Sequence, residues 1–277
     1  MSKILLGLIG AGIQRSMSPM LHEEEGRHHG LRVHYQLIDV DDPEVLPNLV
    51  RAARMIGFAG LNVTYPFKQS VLPLLDAVSD EARAIGAVNT IVRQGERLVG
   101  HNTDGSGWSW GFRRALPGAD LARVVLLGAG GAGSACADAV LRLGARELLI
   151  VDREPGRAAE LAARLNSHFT GEPARAVAEI EEATRSASGL IHATPTGMAK
   201  TPGMPLAEHL LRAELWVSEI VYVPLETPLL KAARRIGCRT ADGGHMNVGQ
   251  AARGFELFTG LQADAARMDA HFRSLIA

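Results

Sequence analysis

An α/β fold with room for two domains is what the sequence predicts, on three observations. At 277 residues, 47% of them apolar, the chain is long enough to fill two cores. Short apolar runs alternate with helix-period segments along its length, the pattern of strands and helices taken in turn. One stretch, Val124–Arg153, reads as a complete strand, turn, helix and strand, about thirty residues as a βαβ unit requires.

The elements follow in order. Ile4–Ile9 is a first strand, too short to cross a membrane and without a signal-peptide layout. Gly10-Ala11-Gly12 comes next, but Arg15 occupies the place of a third glycine, so this is not a nucleotide loop. Ser18 is a good N-cap and Pro19 a good first residue for a helix Pro19–His29. The hydroxyls of Ser16 and Ser18 at its positive end suit a carboxylate or serve as ordinary caps. His22, His28 and His29 run with Glu23-Glu24-Glu25, a solvated set rather than metal ligands. Val33–Ile38 is a strand and Glu44–Met55 an amphipathic helix. In the next strand, Phe58–Thr64, Asn62 and Thr64 share one face while Leu61 and Val63 take the other. Pro66 starts a short helix carrying Lys68. Asp80–Ala87 is helical, and Val88–Val92 and Leu98–His101 make a hairpin about Gln94–Arg97. Asp104 reads as the cap of a helix Gly107–Leu116.

Then comes the βαβ unit. Val124–Leu127 runs into Gly128-Ala129-Gly130-Gly131-Ala132-Gly133 and a helix Ser134–Leu143. Gly128 permits the tight turn, Gly130 leaves the backbone open to a pyrophosphate, and Gly133 lets the helix lie close to the sheet. The unpaired amides of the helix start receive the diphosphate. Asp152 ends the second strand, Leu148–Val151, at about the twenty-residue offset where an acid binds the adenosine ribose. This assembly points to a Rossmann domain and a dinucleotide. Asp152 favours the free 2′-hydroxyl of NAD, which is preferred; Arg153 beside it is the residue type that accommodates NADP, the alternative.

Beyond it, Arg157–Leu165 and Ala178–Ser186 are helical. Gly189–Ala193 is a strand ending at Thr194-Pro195, on the side that faces a cofactor in a parallel sheet. Leu215–Tyr222 is a strand and Leu229–Ile236 a helix. Asp242–Gln250 opens a helix to about Thr259, and Ala263–Ile276 closes the chain.

With 29 basic and 30 acidic residues, no field for nucleic acid or anionic lipid is implied. Cys136 and Cys238 have no CxxC partner, so reduced thiols and a cytoplasmic setting are expected, with no metal site.

Taken together, Ser16-Met17-Ser18-Pro19, Leu61–Lys68, Gly86–Thr90, Asn102–Gly105, the glycine loop, Ala193-Thr194-Pro195 and Asp242–Gln250 resemble the shikimate/quinate dehydrogenase family over nearly the whole chain. The resemblance implies a discontinuous α/β substrate-binding domain, 1–104 with 241–277, and a Rossmann NAD(P)-binding domain, 105–240. It implies reversible oxidation of the C3 hydroxyl of shikimate, or of quinate, to the 3-dehydro ketone. Ser16 and Ser18 would bind the ring carboxylate, and Asn62, Thr64, Asn89 and Gln250 the hydroxyls, with Tyr222 a further substrate-side residue. Lys68 and Asp104 would be catalytic, Lys68 as acid–base or as electrostatic donor. Gly128, Ala129, Gly130, Gly131, Ala132, Gly133, Asp152, Arg153, Thr194, Pro195, Val221, Gly243 and Met246 would contact the cofactor. Asp152 aligns the chain with the NAD-using quinate/shikimate or aminoshikimate branches. The buried amides are expected to need substrate partners, so that analogues lacking a hydroxyl are rejected. Two residues depart from the family pattern: His192 replaces an asparagine and Glu219 an aspartate. The partner is a small cyclic hydroxy acid, with no nucleic acid or membrane; the chain is a monomer or homodimer. The competing readings are an aminoshikimate or other cyclic hydroxy-acid dehydrogenase, a non-catalytic NAD-binding sensor, and a methylene-folate or malic-type dehydrogenase.

Overall fold

The structure, a computed structural model, describes residues 3–276. Two compact units divide it: 1–103 with 248–277, and 104–247.

The first unit is built on a six-stranded mixed sheet, with α1 (Ser18–His28) joining β1 (Lys3–Gly10) to β2 (Arg32–Asp39). A short 3-10 turn, Pro43–Val45, leads into α2 (Leu46–Ile56), which ends on left-handed Gly57. β3 (Gly60–Val63), β4 (Ala77–Val78), α3 (Asp80–Ile85), β5 (Thr90–Gln94) and β6 (Arg97–His101) follow. The order is β2-β1-β3-β5-β6-β4. Strand alternation assigns the two faces. Leu61, Val63 and Ile9 enter one core with α2, whereas Leu6, Leu8 and Tyr35 enter a second cluster against which Phe258 packs. Asn62 therefore points away from the Leu61/Val63 core, as its place in the alternation requires.

The second unit begins with α4 (Asp104–Ala115) and contains β7 (Arg123–Leu127), α5 (Gly131–Arg142), β8 (Glu147–Val151), α6 (Pro155–Asn166) and β9 (Ala174–Ala176). Then come α7 (Ile180–Thr184), β10 (Gly189–His192), β11 (Trp216–Glu219), α8 (Pro228–Ile236) and β12 (Thr240–Ala241). All six strands are parallel in the order β12-β11-β10-β7-β8-β9. This is the doubly wound Rossmann arrangement, whose order reverses between β7 and β10. Val124 and Leu126 pack under α4, α5 and α6, while Val125 and Leu127 face Leu190, Val217 and the α8 residue Leu229. Both faces are covered, which is why β7 reads as an unbroken apolar run. α9 (Gly243–Thr259) starts in this unit and continues into the first, followed by α10 (Ala265–Ile276).

Several expectations are corrected. No helix starts at Pro66: the Lys68 carbonyl accepts the Val88 N–H, so Leu72 bonds to Gln69 and the segment stays a series of turns. The helix expected over 178–186 is only Ile180–Thr184, because Val177 bonds to β8 at Ile150 and Ser188 to Arg123. The strand expected to reach Tyr222 stops at Glu219, whose carboxylate takes the Val221 N–H. The helix after Asn102-Thr103 starts at Asp104 itself, so Asp104 is not its cap. His22 is 1% exposed, not solvated: with Leu21 and Glu25 it lies on the inner side of α1.

Candidate active site

In the first unit, the loop after β1 carries Ser16 and Ser18. Ser18 is the first residue of α1, not its cap; Met17 holds that place with no side-chain bond. Ser16 Oγ accepts the Ser18 N–H at 3.3 Å and donates to Ser18 Oγ at 3.1 Å. The two hydroxyls thus stand together at a positive helix end, and neither is spent on deeper turns of the helix.

The same unit contains a buried amide lattice. The Tyr35 hydroxyl donates to Asn62 Oδ1 at 2.7 Å. Asn62 Nδ2 donates to the Asn89 carbonyl at 3.2 Å and to Thr90 Oγ1 at 3.0 Å. Asn89 Nδ2 donates to Thr103 Oγ1 at 3.0 Å and to Gln250 Oε1 at 3.1 Å. Its Oδ1 accepts from the Thr103 N–H at 2.8 Å and the Thr90 hydroxyl at 2.9 Å. Three residues expected to bind hydroxyls, Asn62, Asn89 and Gln250, are therefore joined across segments far apart in sequence, and Thr64 is half-buried at the end of β3. The expectation that these amides need substrate partners is corrected: Asn62 and Asn89 are hydrogen-bonded within the unit. Tyr35, Thr90 and Thr103 complete the lattice. The sequence assigns them no role, because a tyrosine or threonine in a strand or a short loop carries no signal of a bond to a distant segment.

His22 stacks on Tyr35 at a ring-centroid distance of 4.9 Å. Its Nδ1 is buried without a hydrogen-bond partner, and burial lowers its pKa to about 3. His101, at the end of β6, is likewise pushed below the ordinary histidine range, first by burial and then by the charge of Arg253. Lys68 is half-buried in the turns after β3.

In the second unit, Asp104 is 1% exposed on the first turn of α4. The glycine loop sits at the switch point between β7 and β10. Gly128 has φ +99°, and a side chain there would meet the Ala193 carbonyl and Thr194 Cγ2. A Cβ at Gly133 would fall 1.9 Å from the Gly128 carbonyl oxygen, whereas one at Gly130 would meet nothing within 4 Å. The protein is therefore closed around Gly133 and open at Gly130, at the head of α5 with Gly131 and Ala132. A diphosphate fits that opening and its unpaired amides. Asp152 Oδ2 accepts the Ala129 N–H at 2.7 Å and Oδ1 the Glu154 N–H at 2.9 Å, tying the carboxylate to the loop. Arg153 is exposed, and Glu154 pairs with Arg157 at 3.0 Å.

Past β10, Thr194 and Pro195 continue from the switch point. Gly243 lies against the backbone of Ile220 and Val221, where any Cβ would approach within 2.5 Å of both carbonyl oxygens. Val221 is buried, Tyr222 half-buried, and Met246 belongs to the hydrophobic core of the unit. His192 and Glu219, the two departures from the family pattern, bond to each other at 2.8 Å. Among the described residues no His, Cys, Asp and Glu group is arranged to hold a metal ion, and no helix is long and apolar enough to cross a membrane.

Two family models match the chain: the shikimate dehydrogenase substrate binding domain over residues 8–91, and shikimate / quinate 5-dehydrogenase over residues 113–200. A protein of Streptomyces avermitilis named shikimate dehydrogenase (NADP(+)) is 53% identical, over 98% of this chain and 95% of its own length. One of Corynebacterium efficiens named quinate/shikimate dehydrogenase (NAD(+)) is 45% identical over 98% of each. The solved structure of quinate dehydrogenase from Corynebacterium glutamicum in complex with NAD superposes with a TM-score of 0.92 at 43% identity, over 99% of this chain and all of the other.

Proposed function

The chain belongs to the shikimate/quinate dehydrogenase family of NAD(P)-dependent oxidoreductases, and we propose that it oxidises the C3 hydroxyl of shikimate, and of quinate, reversibly to the 3-dehydro ketone with NAD preferred. Supporting the reaction are the paired Ser16 and Ser18 hydroxyls, suited to a ring carboxylate, and the amide lattice, suited to a polyol. A dinucleotide held at the glycine loop Gly128–Gly133 would supply the hydride acceptor for the alcohol carbon. Lys68 exchanges the hydroxyl proton, as base in oxidation and acid in reduction. Asp104, a buried carboxylate on the first turn of α4, is the second catalytic residue. The substrate domain is 1–104 with 241–277 and the cofactor domain 105–240, a division supported by the two compact units, 1–103 with 248–277 and 104–247. Buried, reduced Cys136 and Cys238 support a cytoplasmic setting.

The single observation behind the NAD preference is Asp152. Fixed by two backbone N–H groups at the end of β8, it presents a negative acceptor where the adenosine ribose sits in this fold. A 2′-phosphate there meets like charge, and Glu154 pairs with Arg157, one of the two nearby cations. The relatives divide between NADP(+) and NAD(+) names, so the ratio of kcat/KM with the two cofactors is the direct test. A ratio in favour of NAD is expected, and Asp152→Asn should move it toward NADP by about tenfold, one charge contact at about 1.4 kcal/mol. A wild-type preference for NADP refutes the reading.

For the chemistry, Lys68→Ala and Lys68→Met are compared. Loss of the proton-exchanging group costs on the order of 10²–10⁴ in kcat. Turnover near wild type in both, with weakened substrate binding, assigns Lys68 to binding instead. Assays across shikimate, quinate and aminoshikimate separate the substrate readings.

A further inference from the structure

At the C-terminal ends of β10 and β11 lies a polar cluster that the reaction scheme does not use. His192 and Glu219 are register partners in the parallel pair, 0% and 1% exposed. Glu219 Oε1 takes His192 Nδ1 at 2.8 Å and the Val221 N–H at 3.0 Å. Its Oε2 takes the Thr227 hydroxyl at 3.0 Å, while the Thr227 oxygen caps α8 by accepting the Leu230 N–H. Three donors converge on one carboxylate, which can only accept. Nδ1 of His192 therefore carries a proton, and the tautomer is set by that bond.

Across the ring, Nε2 lies 2.5 Å from Thr194 Oγ1. With the imidazole neutral, a proton on Nδ1 leaves Nε2 bare, and the Thr194 hydroxyl donates to it. One lone pair of Thr194 Oγ1 receives the Thr196 N–H at 3.3 Å. What remains is the other lone pair. Thr194 is half-buried and its methyl borders Gly128 at the switch point, where a Rossmann domain holds its ligand.

We propose that His192 is a positioning residue for the dinucleotide: it takes the proton of Thr194 and so presents Thr194 Oγ1 as a hydrogen-bond acceptor to a donor on the cofactor, a ribose hydroxyl or the carboxamide N–H. Phosphate oxygens, which accept only, are excluded from that point. The inference rests on the dinucleotide reading of the glycine loop, and its test separates the two.

Asparagine at position 192 offers a donor near Nδ1 for Glu219 but has nothing at Nε2. Glutamine reaches toward Nε2. NADH affinity is measured by fluorescence titration without substrate for wild type, His192→Asn, His192→Gln, Thr194→Val and the His192→Asn/Thr194→Val double variant, each checked for folding by its thermal midpoint. His192→Asn and Thr194→Val should each raise Kd about tenfold, one hydrogen bond's worth. The double variant should be no weaker than either, and His192→Gln should stay within about threefold of wild type. In turnover, KM for the cofactor should rise and KM for the acid should not. Repeating the Thr194→Val comparison with the 3-acetylpyridine analogue, which lacks the amide N–H, names the donor: a vanished effect assigns the carboxamide, a retained effect the ribose. Unchanged affinity in folded Thr194→Val, or a double variant weaker by the product of the singles, overturns the proposal, and Thr194→Val decides it alone where His192→Asn does not fold. A wild-type protein that binds neither NADH nor NADPH refutes the dinucleotide reading instead.

Discussion

The buried histidine of α1 makes the first unit acid-sensitive. His22 is 1% exposed, stacked on Tyr35 and near Phe255 and Phe258, and its pKa is lowered from 6.5 to about 3 by burial. Between those values the unfolded chain binds a proton that the folded chain refuses, so stability is fully present above about pH 6.5 and falls as pH drops toward 3. Integrating over one site from pH 7 to pH 5 gives a loss of about 2 kcal/mol. The perturbation is His22→Phe, which keeps an aromatic ring on Tyr35 and removes the titration. Its larger ring lowers stability at every pH by a roughly constant amount. The readout is therefore the difference between pH 7 and pH 5, measured by urea unfolding at 25 °C. That difference should shrink by about 2 kcal/mol in the variant, because the other titrating groups, His101 included, cancel. An unchanged difference would mean that His22 protonates in the folded state, and the reasoning from burial would fail.

Two glycines of the loop should separate folding from binding. Gly130→Ala is expected to fold with a wild-type thermal midpoint, since its Cβ meets nothing, yet to bind NADH at least tenfold more weakly because the methyl stands where the diphosphate approaches. Gly133→Ala drives a methyl into the Gly128 carbonyl and should cost about 2 kcal/mol or more in unfolding free energy. In the first unit, Glu25 is 1% exposed and holds Arg267 through two bonds, with the Asp264 N–H added. Arg267→Ala leaves that carboxylate buried with less compensation. With Arg267 about one-third exposed, the loss should be on the order of 2 kcal/mol by denaturant unfolding, below the range for a fully buried pair.

How much of this was legible depends on length and on where partners come from. The β7–α5–β8 unit was readable because a five-residue apolar strand, a glycine turn and a twelve-residue helix each carry their own signal. Gly128 has the positive φ of a tight turn and the space at Gly130 is open; Gly133 is tight against the Gly128 carbonyl as well as close to Ala193. By contrast, β4, β9 and β12 have two or three residues each, too few to show a period. The segment after Pro66 looks helical locally and is kept from it by a bond to Val88, some twenty residues on. Where α9 passes from one unit to the other, its pattern has no break, so composition marks only its start. The His192–Glu219 bond was hidden for a related reason. The two residues are far apart in sequence and meet only because β10 and β11 pair in that register.

The amide lattice changes how substrate selection should be understood. Had Asn62 and Asn89 waited unpaired, a missing hydroxyl would strand a buried polar group and cost about 1–3 kcal/mol. Instead both Nδ2 protons of each amide already have protein acceptors, and losing a substrate hydroxyl leaves them satisfied. Asn89 Oδ1 already accepts two bonds, so of the two amides it is Asn62 Oδ1, holding one, that keeps a lone pair for a substrate hydroxyl, and a bond gained there is worth about 0.5–1.5 kcal/mol. Rejection of a deoxy analogue at that point should then be on the order of tenfold, not thousands-fold. Orientation carries the rest: the Tyr35 hydroxyl fixes Asn62 Oδ1 at 2.7 Å. Tyr35→Phe frees the amide to turn, so KM for the acid should rise while the Kd for NADH, read at the other unit's glycine loop, should not. A rise in both would show that the lattice supports the fold rather than the choice of substrate.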